Sequence, residues 1–293
     1  MNQLKTVLLL GILSAILVGV GGALGPNALG LNIVLAVVMN VGAYFFSDRI
    51  VLAMHRAQEL TPAEAPELHG TVAELAARAG IPTPRLYLIP EAQPNAFATG
   101  RNPEHAVVAV TSGILEVLDR RELRGVLAHE LAHVKNRDIL VSSIAATVAA
   151  AITYVAHAVG FFGMGSSDDD GPSPAQSLLL AIVAPLAATL IQLGISRSRE
   201  YGADATGAEI SGDPEALARA LEKLDQAARA IPAPVQPATA SLFIVNPFSA
   251  TEGVLNLFST HPSMRERIRR LRANQVSRGW QVGARDPTRH AGW

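Results

Sequence analysis

The 293-residue sequence contains no cysteine and few charged residues. The absence of cysteine excludes disulfide bonds and thiolate metal sites, so any metal must be bound by His, Asp or Glu. The formal net charge of −1 argues against nucleic acid as the main partner, because a basic face would require an equal acidic face elsewhere. Charged residues make up 17% of the chain against 49% hydrophobic residues, a balance too apolar for an ordinary soluble enzyme.

Long apolar runs account for this composition. They predict four transmembrane helices, at about 7–24, 29–46, 139–164 and 177–195, each about long enough to cross a hydrocarbon core of roughly 30 Å. The first two runs form a hairpin, and an acidic link containing Asp168, Asp169 and Asp170 joins the last two. A secretory signal peptide is an alternative interpretation of the first run. However, the run is longer than the roughly 7 to 15 apolar residues of such signals, and a second run follows at once.

Basic residues flank these runs on one side only. The flanking residues are Arg49, Arg56, Lys135, Arg137, Arg197 and Arg199, whereas the two short links contain neither Lys nor Arg. Basic residues concentrate on the cytoplasmic side of membrane proteins. The sequence therefore predicts a multi-pass protein of the cell (plasma) membrane whose polar segments are cytoplasmic.

The polar segment between the second and third runs predicts a small mixed α and β domain. Thr61 and Glu64 form a capping-box pattern for a helix that continues to Gly80, and Asp119 is the expected cap of a helix at 120–136. Strands are predicted at 85–89 and 106–111, with an apolar loop at 95–101 between them. After the fourth run, helices are predicted at 197–209, 215–230 and 264–273.

The helix at 120–136 carries the sequence H-E-x-x-H, formed by His129, Glu130, Leu131, Ala132 and His133. On a helix the two histidines lie one turn apart on the same face, where both can bind one metal ion. A zinc ion held by two histidines and one further ligand keeps a position open for water, and an adjacent glutamate can accept the proton of that water. The bare motif also arises by chance, and two hydrogen-bonded structural histidines are the alternative interpretation.

Glu200 and Asp204 are candidates for the missing third ligand and for a group that orients a ligand histidine. They share a face of the helix predicted at 197–209, so one carboxylate can bind zinc while the other orients a ligand imidazole. The third run begins just after His133 and the fourth ends just before Glu200. An antiparallel pair of membrane helices would therefore bring both positions to the same membrane surface. A pair of solvated acids is the alternative.

Several motifs together resemble one known family. They are His-Glu-Leu-Ala-His-Val-Lys-Asn-Arg-Asp at 129–138, Ser-Arg-Glu-Tyr-Gly-Ala-Asp at 198–204, Asn-Ala-Phe-Ala-Thr-Gly-Arg-Asn-Pro at 95–103 and Ser-Thr-His-Pro-Ser at 259–263. Together with the four runs and the acidic link, they are similar to the HtpX-type membrane zinc metalloproteases, which are related to Ste24-type and Oma1-type proteases. The resemblance implies a mainly α-helical membrane protein with a gluzincin-like α+β catalytic domain, one Zn²⁺ per chain and a role in membrane-protein quality control.

The resemblance also implies a role for each matching residue. The implied zinc ligands are His129, His133 and Glu200, with Glu130 as general base and Asp204 as partner of a ligand histidine. His261 would help to stabilise the oxyanion with support from Arg267, although His261 before a proline equally fits a helix cap. The implied substrate-binding edge strand comprises Asn95, Ala96, Phe97, Ala98 and Thr99, for which an ordinary hairpin is the alternative. Asp138 is assigned to the membrane interface rather than to the metal.

These interpretations divide the chain into alternating membrane and catalytic segments. The expected boundaries are 1–48 for the first hairpin, 49–138 for the first catalytic part, 139–195 for the second hairpin, 196–278 for the second catalytic part and 279–293 for a loose tail. The expected partners are membrane-protein or unfolded polypeptide substrates and the lipid bilayer. Two other functions stay open: a Ste24-like protease of lipidated peptides, and a non-catalytic membrane scaffold or chaperone with a structural zinc site.

Overall fold

The computed structural model describes residues 2–24, 26–149, 197–230, 242–244 and 262–277. The helices in these ranges are α1 (Asn2–Leu24), α2 (Pro26–Met54), α3 (Pro66–Ala79), α4 (Ser112–Val117), α5 (Arg120–Lys135), α6 (Ile139–Ala149), α7 (Arg197–Ser211), α8 (Pro214–Ala230) and α9 (Met264–Ser277). The strands are β1 (Gln58–Glu59), β2 (Arg85–Ile89), β3 (Ala96–Thr99) and β4 (Val107–Thr111). The fold is therefore mostly helical with one small mixed sheet, as the sequence predicts.

The apolar helices at the start of the chain pack on one another and on α6. Leu9, Leu13 and Ala36 of the hairpin form a buried cluster with Val141 and Ile144. Large apolar side chains of α2 point outward, which is the arrangement expected of a helix in contact with lipid. Among the described residues, one helix, Ile33–Met54, is long and apolar enough to cross a membrane, while Leu4–Ala15 and Ile139–Ala149 are shorter apolar helices. Most of the third predicted span and all of the fourth lie outside the described residues.

The sheet has the order β1-β2-β4-β3, with β2 and β4 parallel and the two outer pairs antiparallel. Strand β2 has the predicted bounds, and β4 begins one residue later than predicted. The apolar loop predicted at 95–101 contains β3, which lies at the edge of the sheet formed by the described strands. The sheet therefore presents β3 as an edge strand, with β4 on only one side of it.

The two faces of the sheet contact different parts of the protein. Side chains alternate along β4, so Val108 and Val110 pack in the main core with helices α3, α5 and α8, while Val107 and Ala109 point to the opposite face. That opposite face packs against Val51 at the end of α2 and against Leu242 and Phe243. The sheet is thus packed between helices α3, α5 and α8 on one face and the end of the apolar hairpin on the other.

One predicted helix start is wrong. Thr61 and Glu64 do form the predicted hydrogen bonds, with the Thr61 N–H and hydroxyl donating to Glu64 Oε2 at 2.8 and 2.6 Å. The helix nevertheless begins at Pro66, because the residue before a proline is driven out of the α conformation, and Ala65 has φ −140° and ψ 65°. The Asp119 cap of α5 is confirmed, and Glu122 completes a capping box there.

Candidate metal centre

Helices α5 and α7 bring His129, His133 and Glu200 together. The two imidazole rings lie 4.8 Å apart between centroids and are nearly perpendicular. The Glu200 carboxylate lies 3.7 Å from His129 Nε2 and 3.6 Å from His133 Nε2. One potential ligand atom from each residue lies within 4.8 Å of the others. The residues predicted from widely separated motifs therefore form one compact group at the α5–α7 contact.

A glycine permits this close helix contact. A Cβ atom built at Gly207 of α7 would lie 2.8 Å from His129 Cα and 2.9 Å from its backbone nitrogen, closer than real Cβ atoms approach such atoms. By contrast, no atom of the described residues lies within 4 Å of a Cβ built at Gly202, on the same helix. Gly207 therefore sets how near α7 lies to the ligand histidine, and Gly202 does not.

Substituting Gly207 by alanine is expected to push α7 away from His129 and to separate Glu200 from the histidines. Overpacking of this kind costs about 1–3 kcal/mol of stability, and displacement of one ligand also lowers metal affinity. The matched control is Gly202→Ala, which is expected to leave both properties unchanged or to stabilise α7 slightly. Thermal unfolding and metal titration of the two variants check this prediction, and equal behaviour of the pair would contradict it.

Each ligand histidine is oriented by a carboxylate on its second ring nitrogen. His129 Nδ1 lies 3.0 Å from Asp204 Oδ1, and His133 Nδ1 lies 3.5 Å from Asp138 Oδ2. The sequence predicts the Asp204 contact, but it assigns Asp138 to the membrane interface. Arg137 explains the difference, because its positive φ of 57° turns the chain back after α5, and the Asp138 N–H donates to the His133 carbonyl at 2.9 Å. Both Nε2 atoms are thereby aimed at Glu200.

Arg267 of α9 is the largest fully buried side chain in the described residues. Its Nε and Nη2 atoms donate to the two carboxylate oxygens of Asp204 at 2.9 and 2.7 Å. Nη2 also lies 3.5 and 3.3 Å from Nδ1 and Nε2 of His129. Burial raises the pKa of Asp204, but the charge and hydrogen bonds of Arg267 outweigh burial and hold that pKa well below its usual range. The Asp204 carboxylate therefore stays ionised beside His129.

The three converging groups suit a divalent metal such as zinc. A tetrahedral zinc with bonds of 2.0–2.1 Å places its ligand atoms about 3.4 Å apart, close to the spacings between Glu200 and the two Nε2 atoms. Two histidines and one glutamate are a known ligand set of catalytic zinc, and the carboxylate contacts to both Nδ1 atoms are typical of such sites. The residues present therefore fit the metal that the sequence predicts.

Glu130 lies beside this group and contacts the edge strand. Its side chain is buried, and its Oε2 atom accepts a hydrogen bond from the Ala98 N–H at 2.9 Å. Burial raises the pKa of Glu130 to about 8, although the charge of His133 and the Ala98 hydrogen bond act in the opposite direction. The positive charge of a divalent metal bound nearby would favour the ionised carboxylate, which is the form that can accept a proton.

The metal-free site holds a proton that zinc must displace. Burial lowers the pKa of His133, but the hydrogen bond to Asp138 and the charges of Glu200 and Glu130 raise it to about 9. An imidazole binds zinc only when it is neutral, so the apparent zinc affinity should rise roughly tenfold per pH unit below that pKa and then level off. Zinc titrations of the metal-free protein against a competing chelator at pH 7, 8 and 9 check this, and equal affinities at pH 7 and 9 would contradict it.

The other predicted site residues are the edge-strand residues, His261 and Arg267. Asn95, Ala96, Phe97, Ala98 and Thr99 are all buried, and they form β3 together with the residue before it. His261 lies outside the described residues. Arg267 was predicted to assist His261 in binding the oxyanion. In the structure its guanidinium group instead donates hydrogen bonds to Asp204 and to the Ile244 carbonyl. Sequence reasoning missed Asp138 and Ile244 as neighbours of the site.

Comparison with known proteins identifies the family. Residues 62–275 match peptidase family M48. The protease HtpX homolog of Syntrophobacter fumaroxidans is 56% identical over 280 residues, which cover 93% of this chain and 99% of that relative. The chain belongs to peptidase family M48. The protease HtpX homolog of Ralstonia pickettii is 52% identical over 274 residues, which cover 92% of this chain and 96% of the relative.

This M48 protease also has a similar solved structure, the crystal structure of S. mikatae Ste24p. The TM-score is 0.48 at 20% sequence identity, over 82% of this chain and 57% of that chain. Family membership confirms the predicted resemblance and makes the chain a metalloprotease. The non-catalytic scaffold is therefore not the function that the family supports.

Proposed function

We propose that this M48 protease is an integral membrane zinc endopeptidase that cleaves misfolded or damaged membrane proteins at the cytoplasmic membrane surface. The proposal is supported above all by the group of His129, His133 and Glu200 with Glu130 beside it. The two histidines and Glu130 lie on α5, which is followed directly by the apolar helix α6. This arrangement combines a hydrolytic metal site with a membrane-proximal position. The proposal rests on His129, His133 and Glu200 as the ligands, Glu130 as the base, and Asp204 and Asp138 as the groups that orient the histidines.

The chemistry divides between the metal and the side chains around it. When bound, zinc supplies a Lewis acid and lowers the pKa of a water molecule. Glu130 accepts the proton of the attacking water and later delivers it to the leaving amine. The Ala98 N–H fixes Glu130 Oε2, which leaves Oε1 as the atom that carries the proton. Asp204 and Asp138 keep both histidines in the tautomer that presents Nε2.

A structural zinc site would need a fourth protein ligand, and the chain has no cysteine to supply it. Among the described residues the candidate is Asp204, beside His129. Both carboxylate oxygens of Asp204 are already bound by Arg267, and one also contacts His129 Nδ1. Asp204 therefore orients a ligand histidine and does not serve as a fourth zinc ligand. An open fourth position is the arrangement that hydrolysis requires.

The membrane position is supported by contacts between the apolar helices and the catalytic helices. Lys5 of α1 lies near enough to Asp138 and Arg199 to interact with their charges, so the start of α1 is on the same side as the metal group. At the other end of the hairpin, Asp48 of α2 pairs with Arg85 of β2 at 3.6 Å. Both ends of the hairpin therefore reach the catalytic part. This supports a metal group on the same side of the membrane as the flanking basic residues, the side proposed here as cytoplasmic.

Single cysteines test this orientation, because the natural chain has none. Glu104 is exposed in the catalytic part, so Glu104→Cys is expected to react with a membrane-impermeant maleimide in inverted vesicles but not in intact cells of a bacterial host. Asn27, in the link between the first two apolar runs, provides the matched control with the opposite pattern. Labelling of Glu104→Cys in intact cells would contradict the proposed orientation.

The proposed substrate class requires a separate test. The zinc-loaded protease is reconstituted in vesicles with a small membrane protein or with a destabilised variant of that protein. We expect faster cleavage of the destabilised variant, because an endopeptidase needs an extended segment of its substrate. Equal cleavage rates for the two forms would rule out a quality-control preference.

A further inference from the structure

The free edge of β3 can be identified from its pairing with β4. The Thr111 N–H donates to the Asn95 carbonyl at 3.0 Å, and Phe97 and Thr99 lie opposite Ala109 and Val107. Hydrogen-bonded positions alternate along an antiparallel strand. The backbone groups of Ala96 and Ala98 therefore point away from β4, and the Ala98 N–H reaches Glu130 on this side. A peptide that pairs with this edge would lie directly beside the catalytic glutamate.

A segment of the chain itself, Leu242 to Ile244, is already seated on this edge. The Ile244 N–H donates to the Ala96 carbonyl at 3.3 Å and to Asn95 Oδ1 at 3.1 Å. The Ile244 carbonyl accepts a hydrogen bond from Arg267 Nη1 at 3.1 Å. The backbone of one residue is thus held on one side by the edge strand and on the other by the arginine of the metal centre. An extended substrate backbone would use the same donors and acceptors.

The side chains of this segment are buried in apolar surroundings. Relative exposure is 8% for Leu242, 3% for Phe243 and 2% for Ile244. The ring of Phe243 makes edge contacts with Phe97 and His55, at centroid distances of 5.5 and 5.1 Å. Ile244 points to the other side, into the main core. We call the space beside β3 that these residues fill the peptide groove; Ala96, Phe97, His55 and Arg267 contact its occupant. It accommodates an aromatic residue followed by a branched aliphatic residue, both uncharged.

We propose that residues 242–244 occupy the peptide groove of the protease as an internal substitute for substrate, which an incoming peptide must displace. This inference rests on the proposed endopeptidase function and adds a substrate class to it. The groove takes extended segments in which an aromatic residue precedes a branched aliphatic residue. Such segments are buried in folded proteins and become accessible when membrane proteins unfold, so the displacement requirement favours unfolded substrates.

The first test measures displacement without using activity. Phe243→Cys is made in the Glu130→Gln background, where it is the only thiol of the full chain, and its reaction with maleimide is followed in the zinc-loaded protein. The probe is a synthetic peptide with the sequence of residues 240–247, Ala-Ser-Leu-Phe-Ile-Val-Asn-Pro. We expect slow labelling of the free protein and severalfold faster labelling when the peptide is added.

Two controls make this result specific. Leu75→Cys, at a fully buried position in α3, should label slowly with or without the peptide. A peptide N-methylated at its isoleucine lacks the N–H that meets Ala96 and Asn95, so its effect should require about tenfold more peptide. If the peptide leaves the labelling rate of Phe243→Cys unchanged, the proposal is overturned, and residues 242–244 are a fixed part of the site. Equal potency of the methylated peptide would also overturn it.

The second test uses the active wild-type protease. The same peptide is expected to inhibit casein cleavage competitively, and Ile244→Gly is expected to lower KM for casein because the internal segment competes less well. A raised or unchanged KM in that variant would overturn the proposal. A wild-type protein without zinc-dependent cleavage would instead contradict the proposed function. The labelling test on the Glu130→Gln background still decides whether the segment is displaced.

Discussion

Replacing Glu130 with glutamine is expected to lower the rate of casein cleavage by about 10²- to 10⁴-fold. Glutamine has nearly the same shape and can still accept the Ala98 hydrogen bond through its amide oxygen, but it cannot accept a proton from water. Glu130 is not among the residues whose ligand atoms converge on the metal position. Metal content and thermal unfolding of the variant should therefore match those of the wild type.

The control separates loss of the base from loss of the metal. Glu200→Gln removes a metal ligand on the facing helix, so it should lose both the metal and the activity, whereas Glu130→Gln should lose activity alone. Metal content is measured by elemental analysis of each purified variant, and cleavage with a quenched casein substrate. Undiminished cleavage by Glu130→Gln would exclude the assigned role of this residue.

Replacing Arg267 with methionine is expected to destabilise the protein by about 3–5 kcal/mol, because it leaves buried carboxylates without their counter-charge. Arg267 is completely buried, binds both oxygens of Asp204, and lies 3.5 Å from Glu200. Removing it also frees Asp204 to move away from His129. Zinc affinity should therefore fall by roughly 10- to 100-fold, the usual effect of losing a group that orients a ligand.

Arg265, two residues earlier on the same helix, is exposed and provides the matched control. Arg265→Met removes the same charge and adds the same side chain, and it is expected to change stability by less than about 0.5 kcal/mol. Denaturant unfolding of both variants in detergent micelles gives the comparison. An Arg267→Met protein as stable as Arg265→Met would show that the buried ion pairs do not hold this site together.

The parts of the site that follow from local spacing could be predicted from the sequence. His129 and His133 share a helix face because they are four residues apart, and the same spacing places Glu200 and Asp204 together. The Asp119 cap and the strand at Arg85–Ile89 also follow from short-range rules. The convergence of α5 and α7 was predictable only because the apolar runs between them suggested an antiparallel return.

Other parts depend on contacts that no local pattern specifies. Asp138 reaches His133 only because Arg137 adopts a positive φ, a conformation that is uncommon for a residue other than glycine. Arg267 belongs to a strongly basic helix in which exposed arginines look the same in sequence, and only tertiary packing buries this one. Ile244 lies 149 positions from Asn95 in sequence, so periodicity could not pair them.

Metal content and cleavage, measured together on wild type and Glu200→Ala, test the central claim most directly. We predict about one zinc per wild-type chain, casein cleavage that a chelator abolishes and added zinc restores, and neither metal nor cleavage in Glu200→Ala. Glu200→Ala protein that retains stoichiometric zinc, or wild-type cleavage that persists in chelator, would contradict a metalloprotease site built from His129, His133 and Glu200.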